Sequence, residues 1–109
     1  LHLPLTDDTR GLLSASMLER MKKGALLINT ARGGIVDEDA VVDSLRAGHL
    51  AGAAIDVFEN EPVTAGAGAR FAGVSNLVLT PHIAGVTQES NVRVSAVTAD
   101  NVRRVLSGK

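Results

Sequence analysis

Three apolar runs of this sequence each lead into residues equipped for anion binding or proton transfer. Leu26-Leu27-Ile28 is followed by Asn29-Thr30-Ala31-Arg32-Gly33-Gly34. Ala53-Ala54-Ile55 is followed by Asp56, then Glu59 and Glu61-Pro62, and Leu77-Val78-Leu79 by Thr80-Pro81-His82. An arginine can clamp a planar carboxylate with two parallel hydrogen bonds and set positive charge beside an adjacent carbonyl. A histidine with a carboxylate partner works as a general acid or base near neutral pH, the carboxylate favouring the imidazolium and orienting the ring. Arg, His and an acid together suit a 2-oxo or 2-hydroxy acid, one group holding the carboxylate and another moving the hydroxyl proton. No metal-ligand cluster is visible in the sequence, and no serine sits in a Gly-x-Ser-x-Gly setting. Oxidising such a substrate also needs a hydride acceptor that these residues do not supply, so a nicotinamide cofactor is inferred.

These residues converge only if the apolar runs are parallel strands of one sheet. Residues 25–28 are apolar on both faces and read as a buried parallel strand; residues 51–57 and 77–79 read as two more. Residues 1–3 read as the end of a strand stopped by Pro4, which has no N–H to donate. Ser14 is placed to cap a short helix with Met17, Leu18 and Met21 on one face, Lys22 and Lys23 at its C-terminus and Gly24 as its stop. Asp37, Glu38 and Asp39 open a second helix whose inner stripe is Val41, Val42 and Leu45, ended by Gly48. Residues 64–73, rich in Gly and Ala, predict a loop with at most one helical turn. Thr87 and Glu89 start a long last helix, with Val92, Ala96, Ala99, Val102 and Leu106 as a packing stripe. The alternation of strands and helices implies an α/β fold with a parallel sheet and flanking helices. Ligands of such sheets bind in the crevice beyond the carboxyl ends of the strands, where Arg32, Asp56, Glu61 and His82 would gather.

Composition narrows the choice. The 109 residues carry 11 Lys+Arg against 12 Asp+Glu, whereas a nucleic-acid binder neutralising phosphates would be basic. There is no cysteine, which excludes disulfides and thiol catalysis within this sequence, and no apolar run has the length of a membrane span. A cytoplasmic domain without nucleic-acid or membrane partners is expected. Aromatics make up 2% against 45% hydrophobic residues, a core of small and branched side chains. The chain starts without Met in an apolar stretch, so it is expected to be part of a longer polypeptide.

Residues 1–6 (Leu-His-Leu-Pro-Leu-Thr), 27–38 (Leu-Ile-Asn-Thr-Ala-Arg-Gly-Gly-Ile-Val-Asp-Glu), 53–62 (Ala-Ala-Ile-Asp-Val-Phe-Glu-Asn-Glu-Pro) and 79–85 (Leu-Thr-Pro-His-Ile-Ala-Gly) together resemble the D-isomer-specific 2-hydroxyacid dehydrogenases, which include phosphoglycerate, glycerate and D-lactate dehydrogenases. The likeness runs in order over nearly the whole chain. It implies that Arg32 binds the substrate carboxylate and carbonyl, that His82 donates and accepts the proton, and that Glu61 is its partner. Glu61, immediately before Pro62, matches the family's acid better than Glu59, and it argues against formate, whose oxidising relatives carry Gln there. By the same resemblance Thr30, Ala31 and Arg32 border the nicotinamide ribose, Asp56 binds the carboxamide, Leu3 and Pro4 lie along the adenosine side, and His82, Ala84 and Gly85 flank the nicotinamide. The implied cofactor is NAD, with NADP as the alternative; the substrate is a small 2-hydroxy or 2-oxo acid, and the full-length form a homodimer.

One departure bears on what the chain does alone. The family's Gly-x-Gly-x-x-Gly turn and the acid that holds the adenosine ribose do not occur, and in the intact enzymes they precede a segment like residues 1–6. Residues 1–109 are therefore expected to form the second half of a doubly wound, Rossmann-like coenzyme-binding domain, with 87–107 the helix leading back to a substrate domain. A cofactor-sensing module similar to the transcriptional corepressors of this family is the alternative function. Without the remainder, the chain is expected to be inactive, to bind the dinucleotide weakly and to self-associate.

Overall fold

In the computed structural model, which describes residues 1–109, three parallel strands form one sheet in the order β1-β2-β3. The strands are β1 (Ala25–Asn29), β2 (Leu50–Ile55) and β3 (Leu77–Leu79). Helix α1 (Ala15–Glu19) precedes β1, and α2 (Glu38–Arg46) connects β1 to β2. A short α3 (Ala65–Gly68) and a 3-10 turn (Ala69–Phe71) connect β2 to β3, and α4 (Gln88–Leu106) closes the chain. Asn29 pairs with Ile55, and Ile55 with Leu79. With all three strands parallel, the segments that follow them leave from one edge of the sheet.

Helix α2 seals one face of that sheet. Asp37 caps it, its Oδ1 accepting from Ala40 N–H at 3.0 Å, while Glu38 and Asp39 sit in the first turn and Arg46 in the last, as the helix dipole favours. Val41 and Leu45 join Leu18, Leu27, Val36, Leu50, Ala53 and Ile55 in one core. Each large side chain among these contributes about 1.5–3 kcal/mol by leaving water. Gly48 follows the helix at φ +68°, the left-handed turn that the sequence expectation required.

The structure departs from the expectations in five respects. Residues 1–3 are not a strand: one bond from the Leu1 amino group to Ile28 O, at 2.7 Å, ties them to β1, and a ladder needs a repeated series. Helix α1 ends at Glu19, short of Lys22 and Gly24, because it buries only Leu18 and one anchored turn does not propagate alone. Ser14 precedes it in extended backbone, but its hydroxyl pairs with that of Ser16 at 3.1 Å instead of capping. Strand β1 is buried on one face only: Leu26 and Ile28 lie 69% and 55% exposed, and Val78 of β3, one strand further across the sheet, is exposed too. Finally, the stripe of α4 packs against nothing, since no residue of that helix is buried. The radius of gyration is accordingly 17.9 Å, against about 13 Å for a compact domain of this length.

Candidate active site

The first arm of the site is the turn after β1. Asn29 ends that strand fully buried, and its side chain bridges the turn: Oδ1 accepts from Ala31 N–H at 3.1 Å, and Nδ2 donates to Arg32 O at 3.2 Å. The Arg32 guanidinium is steered by the same turn, Nη1 donating to Ala31 O at 2.7 Å. Gly33 lies against the backbone of residue 58, where a Cβ would stand 1.8 Å from Phe58 O, so only glycine fits. Gly34 takes φ +77° and turns the chain toward α2.

The second and third arms lock together. Asp56 Oδ1 accepts from the Thr80 hydroxyl and from His82 N–H, the latter at 3.1 Å. This holds His82 at φ +53°, in the left-handed region that non-glycine residues seldom occupy. Glu61 Oε2 lies 3.1 Å from His82 Nδ1, while its Oε1 accepts from Phe58 N–H at 2.8 Å. That backbone bond first, and the His82 ring second, hold the Glu61 carboxyl below its ordinary range against smaller opposing effects of desolvation and the Asp56 charge. Ionised Glu61 can only accept, so Nδ1 carries the shared proton and Nε2 is left to exchange one with a substrate. Glu59 lines the same cleft, its backbone N–H donating to Glu38 Oε1 at 2.7 Å, but it is the Glu61 carboxylate that pairs with the His82 ring.

Arg32, Glu61 and His82 line one cleft of about 230 Å³, with Leu5, Gly33 and Phe58 among its walls. Arg32 is also shared with a neighbouring cleft of about 580 Å³, bounded by Leu3, Pro4, Thr30 and Ala31 together with His2 and Leu5. The structure thus brings together the expected substrate-side set and most of the expected cofactor-side set around a single guanidinium. Asp56 sits behind His82, and Ala84 and Gly85 lie exposed in the turn after it, where Val86 N–H donates to Ile83 O at 2.9 Å. Sequence reasoning does not single out Leu5, which borders both clefts, or His2, which borders the second. Their position in the segment before Thr6 is the available signal.

Residues 1–84 match the family described as D-isomer specific 2-hydroxyacid dehydrogenase, NAD binding domain. The chain belongs to this family. It is 59% identical over 106 residues to (S)-sulfolactate dehydrogenase of Chromohalobacter salexigens, covering 97% of this chain and 34% of that protein. Among solved structures it is similar to a protein from Thermus thermophilus, with a TM-score of 0.87 and 43% identity over 100% of this chain and 34% of that one. It is also similar to D-lactate dehydrogenase from Aquifex aeolicus complexed with NAD and lactic acid, with a TM-score of 0.82 and 31% identity over 99% of this chain and 36% of that one. The chain therefore spans about a third of the length of these relatives. The Rossmann-like, NAD-binding character expected from the motifs agrees with the three-stranded parallel sheet and its flanking helices. No helix is long and apolar enough to cross a membrane.

Proposed function

We propose that the full-length protein carrying this chain is a nicotinamide-dependent oxidoreductase that interconverts a D-2-hydroxy acid and its 2-oxo acid. One observation carries the reading: Arg32, Glu61 and His82, far apart in sequence, line one cleft with Glu61 bonded to His82 Nδ1. Arg32 binds the substrate carboxylate and places its charge beside the reacting carbonyl oxygen, stabilising the negative charge that develops there. His82 delivers a proton from Nε2 to that oxygen during reduction and removes it from the hydroxyl during oxidation. Glu61 orients the ring and favours the imidazolium whenever it forms. The nicotinamide, when bound, supplies or accepts the hydride.

The neighbouring cleft fits that cofactor in its donor set and its small side chains. Leu3 and Pro4 would take the adenosine side, Thr30, Ala31 and Arg32 the ribose. Asp56 would meet the carboxamide with the oxygen that Thr80 and His82 leave unused, and Ala84 and Gly85 would complete the nicotinamide side beyond His82. NAD is the proposed cofactor, with NADP as alternative, and residues 1–109 supply one half of its binding domain, 87–107 leading back to the substrate domain. A cytoplasmic homodimer without nucleic-acid partners completes the reading. The test is steady-state kinetics of the full-length protein with 2-oxo acids such as hydroxypyruvate. Arg32→Ala and His82→Ala should each lower turnover by roughly 10²–10⁴-fold. His82→Ala should leave cofactor affinity nearly unchanged. Near-normal turnover in either variant would reject the assignment.

A further inference from the structure

Asn29 is the one buried polar side chain of the core, 2% exposed, and the chemistry above gives it no part. A primary amide is costly to bury unless its donors and acceptor are used, so its partners show what it is there to hold. Both ends of the amide go to the backbone on either side of one peptide unit: Ala31 N–H on one side, Arg32 C=O on the other. Its own carbonyl accepts from Asp56 N–H at 3.0 Å, so the same residue also fixes the start of the segment that anchors His82. The residue after Arg32, Gly33, is packed against the residue 58 backbone so closely that a Cβ would stand 1.8 Å from Phe58 O. The Arg32 guanidinium takes its bearing from Ala31 O, an atom inside the bracketed turn.

We propose that Asn29 is a positioning residue for Arg32, setting through the 30–32 turn the angle at which the guanidinium meets the substrate carboxylate. The proposal rests on the dehydrogenase reading of Arg32. A bidentate clamp depends on direction, since both N–H groups must align with both oxygens, and a turn displaced by about 1 Å can cost on the order of 10²-fold in rate. Alanine at 29 would free the turn. Aspartate would keep the shape and the bond from Ala31 N–H but would set an oxygen against the Arg32 carbonyl.

A double-mutant cycle in the full-length enzyme tests this, with kcat and KM for the 2-oxo acid and thermal unfolding as readouts. Asn29→Ala and Asn29→Asp should each lower kcat/KM on the order of 10- to 100-fold, with KM for the oxo acid raised. In an Arg32→Ala background the same changes should move kcat/KM by less than about threefold, although any loss of thermal stability persists. If Asn29→Ala does not fold, Asn29→Asp alone decides the cycle. A loss that is undiminished without Arg32, or an Asn29→Asp enzyme indistinguishable from the parent, would overturn the proposal. Should Arg32→Ala itself retain full activity, the dehydrogenase reading fails first, and the two failures are thereby told apart.

Discussion

The two faces of the β-sheet carry similar side chains and have opposite fates. On one face Leu27, Ala53 and Ile55 are sealed by α2 and its stripe of Val41 and Leu45. On the other, Leu26, Ile28 and Val78 form an apolar strip with no element over it, and α4, the longest helix, buries none of its residues. Isoleucines at 28 and 55 differ in burial from 55% to 2% exposure within a sheet only three strands wide. Apolar content alone therefore does not make a core; a partnering surface does. The rim chemistry depends on the sealed side, because Asn29 and Ile55, which launch two of the three arms, are both buried there.

The sharpest way to break this comparison is to truncate each isoleucine in turn. Ile55→Ala should destabilise the 109-residue chain by about 2–5 kcal/mol, the usual range for a buried isoleucine. Ile28→Ala should cost about 0.5–1 kcal/mol or less, a surface-strand effect. Only 15 of the 109 residues are buried, so the first loss is expected to be a large fraction of the total stability. Equal urea midpoints for the two variants would mean that the exposed strip is covered in solution.

A smaller contrast uses the helix caps. Asp37 and Thr87 make equivalent bonds, from Ala40 N–H and Ser90 N–H, both at 3.0 Å. Asp37→Ala should lower global stability by about 1 kcal/mol, because α2 belongs to the core. Thr87→Ala should fray α4, seen as lost helical circular dichroism, without shifting the unfolding of the sheet.

Much of the site was legible from residue order. The Asp37 and Thr87 caps and the Gly48 turn follow from local rules and are observed as expected, whereas the strand read over residues 51–57 ends at Ile55. The helix stripe at Val92 and Ala96 was equally legible as a pattern, yet it packs against nothing, since a period specifies a face and not its partner. The choice of Glu61 over Glu59 could be argued only from likeness. It took the bond from Glu61 to His82 to separate them by geometry, since Glu59 lines the same cleft.

The smallest predicted effect concerns Glu61. Its folded pKa lies below the ordinary value, so whatever the Phe58 and His82 contacts contribute is present above that value. The contribution is lost as pH falls through the lowered folded value. Carboxyl-carbon NMR should show Glu61 titrating at lower pH than an unperturbed glutamate. His82→Ala should restore only part of the difference, because the Phe58 N–H bond is the larger cause. Full restoration by His82→Ala would reverse that order.

Sequence by itself determined the parallel α/β order, the Asp37 and Thr87 caps, and which residue types stand at each strand end, since these depend on neighbours a few positions away. Tertiary structure alone decided that Arg32, Glu61 and His82 share one cleft, that Asn29 braces the arginine turn, and that within residues 1–109 one sheet face has no cover. Those facts depend on distances between residues far apart in the chain, and a distance through space is set by packing the whole sheet at once.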